Sequence, residues 1–307
     1  MALTQEIWIS DIEGNLFKDG GFASQSINHS TYVNGKTVHV PNAGSKPSVT
    51  KNRSSFPGTV SSRTDYDLNY TIAELSTDPF RIGDPEKVEL SYDKRASILS
   101  ASIASLSEAA DDALIASWVP SGFTKVLTTG DAAAAHLASA TGNRKMVTLS
   151  DILAVKKEFD KASIPMEGRF GLLDYEMMSQ LLNALTVNQY NAFLNSADAQ
   201  KGIVGEIYGF KMYQRSEVLR TVAAGTSLAS SNGATDGAAG LFWQKDCVAR
   251  ALGQTEVFET ENDPTYYGTV ISCLVRAGGS YTRYDKKGIV VLAQDTPADL
   301  GGGGDGN

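Results

Sequence analysis

Pro85-Glu-Lys-Val-Glu-Leu-Ser-Tyr-Asp-Lys-Arg-Ala-Ser-Ile-Leu-Ser-Ala-Ser-Ile-Ala-Ser-Leu-Ser-Glu-Ala-Ala-Asp-Asp-Ala-Leu-Ile-Ala-Ser-Trp-Val-Pro120 decides how the rest of the chain is read. Between its two prolines stand 34 residues without a glycine or a further proline. Leu99, Ile103, Leu106, Ala110, Ala113, Leu114 and Trp118 recur at spacings of three and four, so they form one apolar stripe on a helix. Pro85 suits a first helical turn, and Pro120-Ser-Gly122 stops the run. At 1.5 Å per residue such a helix is roughly 50 Å long. That length is unusual for an enzyme and natural for a structural spine.

Working outward, Tyr32-Val-Asn-Gly-Lys-Thr-Val-His-Val40 precedes the helix. Asn34-Gly35 is a strong hairpin signal, since both residues tolerate the positive φ of a tight turn. Tyr66-Asp-Leu-Asn-Tyr-Thr-Ile72 is a second extended run. Residues 42–64 between the runs are mostly Ser, Asn, Pro, Lys, Thr and Gly, a long polar excursion with few groups to join a core. The segment 3–18 is a loosely amphipathic arm. Beyond the helix, Thr148-x-x-Asp151 opens a second helix as a capping-box variant, ended before Pro165. Gly168–Leu173 reads as a short buried strand. Asp174 caps a third helix, with Tyr175, Met178, Leu181, Leu182 and Leu185 on one face. Residues 202–213 return to strand. Residues 223–240 read as a low-complexity surface loop, followed by a short helix around 242–252. Extended runs are expected at 265–276, 279–284 and 288–293, with an Asp-Lys-Lys-Gly288 turn between the last two. The tail 296–307 reads as disordered.

Composition narrows the function. The chain has 307 residues, 42% hydrophobic and 20% charged, with a formal net charge of −8. An acidic total argues against binding nucleic acid by phosphate neutralisation, though not against a container whose inner wall must not stick to DNA. Cys247 and Cys273, the only cysteines, lack CxxC or framework spacing and read as buried free thiols in a reducing cytoplasm. The N-terminus lacks the marks of a signal peptide, and no run approaches 18 apolar residues, so no membrane span is expected. There is no GxSxG, P-loop, GxGxxG after a strand, or HExxH. His29, His39 and His136 read as surface or strand residues rather than bases. Asp111 and Asp112 point about 100° apart on a helix, so they do not converge on one site and read as a solvated or subunit-facing edge. No catalytic, cofactor or metal residue is expected. Trp243, Phe242 and Tyr266-Tyr267 read as core or interface.

Three stretches then carry a resemblance. Glu89–Arg95 running into Ala109-Ala-Asp-Asp-Ala-Leu-Ile115 looks like a spine helix. Leu149–Phe159 through Ile164-Pro-Met-Glu-Gly-Arg-Phe170 and Leu172-Leu-Asp-Tyr175 looks like a helix-then-strand unit. Gly202-Ile-Val-Gly-Glu-Ile-Tyr-Gly-Phe-Lys-Met-Tyr213 is similar to the strand pair that follows. In this order they resemble the major capsid proteins of tailed bacteriophages, a fold shared with herpesvirus capsid floors and encapsulin shells. The resemblance implies an α+β fold with an N-terminal arm (1–30), an extended hairpin loop (31–75), a peripheral lobe with the spine helix (76–130), an axial lobe (131–275), C-terminal strands (276–295) and a tail (296–307).

It further implies hexamers or pentamers of an icosahedral shell around double-stranded DNA, touched weakly and non-specifically. The chain would be assembled in the host bacterial cytoplasm and end in the virion. Many relatives begin with a scaffolding segment, whereas this chain starts at the arm, so a separate scaffolding protein and a portal are the expected partners. The alternative with the same fold is an encapsulin-type nanocompartment around protein cargo. A hydrolase on an unfamiliar scaffold is a third reading, disfavoured by the missing motifs. Some relatives join a hairpin lysine to a neighbour's asparagine, but no Asn or Glu here can be matched to that chemistry.

Charge suggests how copies grip. Residues 20–64 contain no acid and five cations, Lys36, Lys46, Lys51, Arg53 and Arg63. Residues 65–120 carry eleven acids against four cations, a net −7. Copies side by side are therefore self-complementary. The expected contact sets Lys46, Lys51, Arg53 and Arg63 of one hairpin on Asp84, Glu86, Glu89 and Asp93 of a neighbour, near a helix N-terminus that already favours anions.

Overall fold

The computed structural model describes residues 12, 21–42, 49–54, 56–58, 60, 62, 65–83, 94–222 and 225–297. The spine is there as α1, Lys94–Trp118, 25 residues or roughly 38 Å. Its expected first turns from Pro85 lie outside the described residues, as do most of the arm and the end of the tail. Leu99, Leu106, Ala110, Leu114 and Trp118 are buried, so the stripe read at three-and-four spacing is the face that packs.

That face lies across a sheet in the order β1 (Ile27–Asn28), β15 (Val248–Asp263), β16 (Gly268–Tyr281), β5 (Ala73–Ser76), with β6 (Phe80–Gly83) also on β16. Leu99, Leu106, Ala110, Val257, Cys273, Val275 and Ala277 close this core, joined by Ile12 of the arm, which is fully buried. Cys247 and Cys273 are both free and buried, as read from the sequence.

A second, mixed sheet runs β11 (Gly205–Ile207), β12 (Phe210–Arg215), β10 (Arg169–Asp174), β14 (Gly237–Gln244), β17 (Ile289–Ala293), β7 (Thr124–Leu127), with β13 (Leu219–Thr221) on β14. Helix α2, Leu149–Lys161, packs on β17 and β7, and α3, Tyr175–Asn183, on β10 and β12. Both helix starts follow the sequence reading. The Thr148/Asp151 capping box is formed, and the Asp174 side chain accepts from the Met177 amide at 2.6 Å. The apolar face of α3 differs in one place: Met177 is fully buried and Tyr175 half exposed.

Three expectations fail here. No helix spans 242–252; β14 and β15 run through it, joined by a short turn at Lys245–Cys247. Residues 237–240 belong to β14, not to a surface loop. Every residue of β14 is buried, because β10 and β17 flank it and side chains cover both faces. A strand buried on both faces loses the period-two signature, and a short apolar run then reads equally well as helix. Gly240 belongs there because a Cβ would sit 2.3 Å from the Leu173 side chain. The runs 265–276 and 279–284 merge largely into the single strand β16. The turn ahead of β17 is as expected, with positive φ at Lys286 and Gly288. Helix α4, Val187–Asn195, was not anticipated, although its Thr186/Gln189 capping box is legible.

A small third sheet, β2 (Val33–Asn34), β3 (Thr37–Asn42) and β4 (Tyr66–Thr71), carries the excursion. Asn34 and Gly35 make the expected turn, with φ of 64° at Gly35. The fourth sheet is the hairpin β8 (Ala132–Ala134) and β9 (Asn143–Lys145).

Candidate assembly surface

Strands β3 and β4 pair over six residues, from Thr37↔Thr71 to Asn42↔Tyr66, and hold both ends of the polar excursion. Their base is anchored by Val38, Tyr70, Ile72 and Ala251. His29 is buried there, its Nδ1 3.3 Å from the Tyr70 hydroxyl and its ring edge-on to Tyr32. Burial lowers the His29 pKa, so it favours the neutral ring. Ile72 is pinned by its amide to the Lys36 carbonyl at 3.0 Å, and Gly253 and Gly278 leave the room its side chain occupies.

Just outside, Glu74 accepts from Lys36 and from Arg276, each at 3.2 Å. Those hydrogen bonds hold its carboxyl below the usual range. Lys36 and Glu74, counted in opposing charge blocks, thus meet inside one subunit. Tyr66, at the end of the stem, stacks flat on Tyr284 with centroids 3.9 Å apart.

Of the expected interface residues, Lys51 and Arg53 are exposed on the excursion. Lys46, Arg63, Asp84, Glu86, Glu89 and Asp93 lie outside the described residues. Sequence reasoning passed over the apolar members of the same loop. Val49, Phe56 and Val60 are 94%, 79% and 96% exposed. They were legible as isolated apolar residues in a polar stretch, but the charge pattern drew the reading away from them.

Further along the spine the pair Asp111-Asp112 is divided. Asp112 and Glu108 O take the Arg215 guanidinium from β12, while Asp111 faces a recess of about 600 Å³ bounded by Gly21, Ala23, Ile103, Ala104 and Arg215. Of the two readings of this edge, solvated or subunit-facing, the solvated one does not describe Asp111 in the single subunit. Burial pushes its carboxyl from 3.8 up to about 6, opposed by Arg215 and reinforced by Asp112. Below about pH 3 the group is neutral folded or unfolded and has no effect. Between about pH 4 and 6 the unfolded chain ionises first, and above that range the folded state bears the full desolvation penalty. Asp111→Asn is therefore expected to stabilise the unassembled subunit near pH 7 by about 1 kcal/mol, after discounting for solvent, and by almost nothing near pH 3. Urea unfolding at the two pH values checks it, and an equal change at both would sink the assignment.

Two histidines also differ from expectation. Besides His29, His136 is nearly buried, with Nε2 2.9 Å from the buried Asp174 carboxylate that caps α3. Only His39 lies on the surface, 3.1 Å from Asp67. Among the described residues no three His, Cys, Asp or Glu side chains gather where a metal ion could sit, and no helix is long and apolar enough to cross a membrane.

No family sequence model and no curated protein sequence matches the chain. Solved structures do. The capsid of Ralstonia phage GP4 superposes with a TM-score of 0.62 at 15% identity, covering 94% of this chain and 92% of that one. The capsid of the cyanophage P-SCSP1u gives 0.59 at 17%, covering 88% and 86%. A virus-like particle from Pyrococcus furiosus gives 0.55 at 11%, covering 94% and 99%. The fold is that of tailed-phage capsid proteins, as the sequence resemblance implied, and the chain spans it almost end to end.

Proposed function

We propose that this chain is a shell subunit that self-associates into hexamers and pentamers of an icosahedral phage head around double-stranded DNA. The observation that carries this is the match to capsid chains along nearly their whole length, in a protein whose projecting loop holds Val49, Phe56 and Val60 in solvent. Such exposure is apolar surface that a neighbouring copy can bury. Its task is structural rather than catalytic, and its seat is the virion after assembly in the host cytoplasm. A separate scaffolding protein and a portal complete the partners, and DNA contact is weak and non-specific. In this reading residues 31–75 are the reaching hairpin, 76–130 the peripheral lobe and 131–275 the axial lobe. A compartment around protein cargo uses the same fold, but no observation favours it over the phage head.

The exposed Lys51 and Arg53 support a polar part of the grip, on Asp84, Glu86, Glu89 and Asp93 of the neighbour. Exposed pairs contribute only about 0–1 kcal/mol each, but the contact repeats in every copy. Negative-stain microscopy and sedimentation of the recombinant protein test the proposal. Wild type should form closed shells, alone or with its assembly helpers. Lys51→Glu with Arg53→Glu should lower their yield by about tenfold while leaving the subunit folded. Normal shells from the double variant would reject the charge contact, and a wild type monomeric under every condition would reject the shell itself.

A further inference from the structure

Six residues per strand carry β3 and β4 away from their root, and the far end of that stem is not left loose. Tyr66, paired with Asn42 in the last rung, lies flat on Tyr284, with ring centroids 3.9 Å apart and an angle of 4° between the planes. Both side chains are exposed, so the stack is a surface contact and not part of a core. Tyr284 belongs to the turn between β16 and β17, and that turn is a rigid seat. Arg283 forks onto Asp285, with Nε 2.9 Å and Nη2 2.7 Å from the carboxylate oxygens. Asp285 Oδ1 also accepts from the Lys287 amide at 3.3 Å, and Lys286 Nζ donates to the Ser121 carbonyl at 2.9 Å, just beyond α1. The stem is therefore held at two places, by Ile72 at its root and by one pair of rings at its far end.

We propose that the Tyr66–Tyr284 stack is a releasable catch that sets the inclination of the stem in the unassembled subunit and so aims the loop before a neighbour arrives. Its purpose rests on the shell reading above, while the catch itself is a property of the single chain. Val49, Phe56 and Val60 stay in solvent with the catch closed, so it does not hide the apolar side chains. What it restricts is direction. A stem hinged only at Ile72 would sample many inclinations, and association would have to give up that freedom. A ring pair of this kind biases an equilibrium by about 2–10-fold. That is enough to favour one inclination and small enough to yield when a neighbour demands another. Charge favours the same seat, since Arg283, Lys286 and Lys287 outnumber Asp285 on the turn, and Asp65 and Asp67 flank Tyr66 on the stem.

The test places spin labels on the full chain at Pro41→Cys in the stem and Lys157→Cys in α2, both exposed positions. Cys247 and Cys273 are buried and stay unlabelled. Double electron–electron resonance on the unassembled protein should give one narrow distance. Tyr284→Ala should broaden it, with the main population falling about 2–10-fold against the others, whereas Tyr284→Phe keeps a ring and should leave it narrow. Tyr66→Ala should act alike, and the double alanine variant no more strongly than either single one, as a shared contact requires. Thermal unfolding of each should match wild type, and light scattering should show both alanine variants assembling about 2–10-fold more slowly. A distance as narrow in both alanine variants as in wild type would overturn the catch, and so would a Tyr284→Phe as broad as Tyr284→Ala. Broadening with an unchanged assembly rate would overturn the aiming role. A wild type that never assembles, yet shows the narrow distance and its loss in the variants, would overturn the shell reading and leave the catch standing.

Discussion

Replacing Trp118 with alanine is expected to cost the isolated subunit about 4 kcal/mol, enough to unfold a protein with 5–15 kcal/mol in hand once a second stress is applied. The side chain is fully buried at the end of α1. Its indole N–H donates to the Ala249 carbonyl of β15 at 2.9 Å. Phe22 meets it edge-on at 6.4 Å and Trp243 of β14 lies at 5.3 Å. One residue therefore ties the spine to both large sheets, and truncation leaves a cavity and removes the indole's hydrogen bond to Ala249 together. Gly279 belongs to the same joint, since a Cβ there would fall 2.3 Å from Ala249 O and 3.0 Å from the indole nitrogen. Trp118→Phe should retain much of the packing and lose chiefly the hydrogen bond, about 1–2 kcal/mol. Urea unfolding of the unassembled protein separates the two. A Trp118→Ala loss below about 1 kcal/mol would show that the joint does not hold the sheets together.

The second large effect concerns the projecting loop and should leave the subunit's own stability unchanged. Changing Val49, Phe56 and Val60 together to serine is expected to abolish closed shells, with the protein sedimenting as folded subunits or small oligomers. Burying one such side chain stabilises by about 1.5–3 kcal/mol, while an exposed ion pair gives about 0–1. Apolar burial therefore outweighs charge in the proposed grip, and the triple variant should suffer more than Lys51→Glu with Arg53→Glu. Salt distinguishes the two contributions, since raising ionic strength screens the pairs and spares the apolar contact. Wild-type shell yield from the triple variant would contradict the idea that this loop is the handhold.

Legibility followed the physics of each element. The spine, α2, α3 and the turns at Gly35 and Gly288 were readable because a stripe, a cap or a positive φ is written locally in residue types. β14 was not, because Gly237–Gln244 is buried on both faces and its small residues answer to Leu173 and to flanking strands far away in sequence. β15 was missed for a related reason: its register slips between Leu252 and Thr255 and between Thr260 and Asp263, which interrupts strict alternation. For the candidate surface, the excursion and its cations were evident, while its apolar side chains were underweighted. The desolvation of Asp111 depends on Ala23 and Arg215, neighbours that no spacing on α1 reveals.

Ile72 has a geometric consequence. The stem of β3 and β4 extends roughly 20 Å at six residues per strand. Its connection to β5 passes through this one anchored residue. A tilt of about five degrees at such a pivot shifts the far end of the stem by roughly 2 Å while β5 keeps its place on β16. In the proposed shell, rings of five and of six would set adjacent members at different inclinations, and a lever hinged near its root would let one sequence serve both without repacking either core.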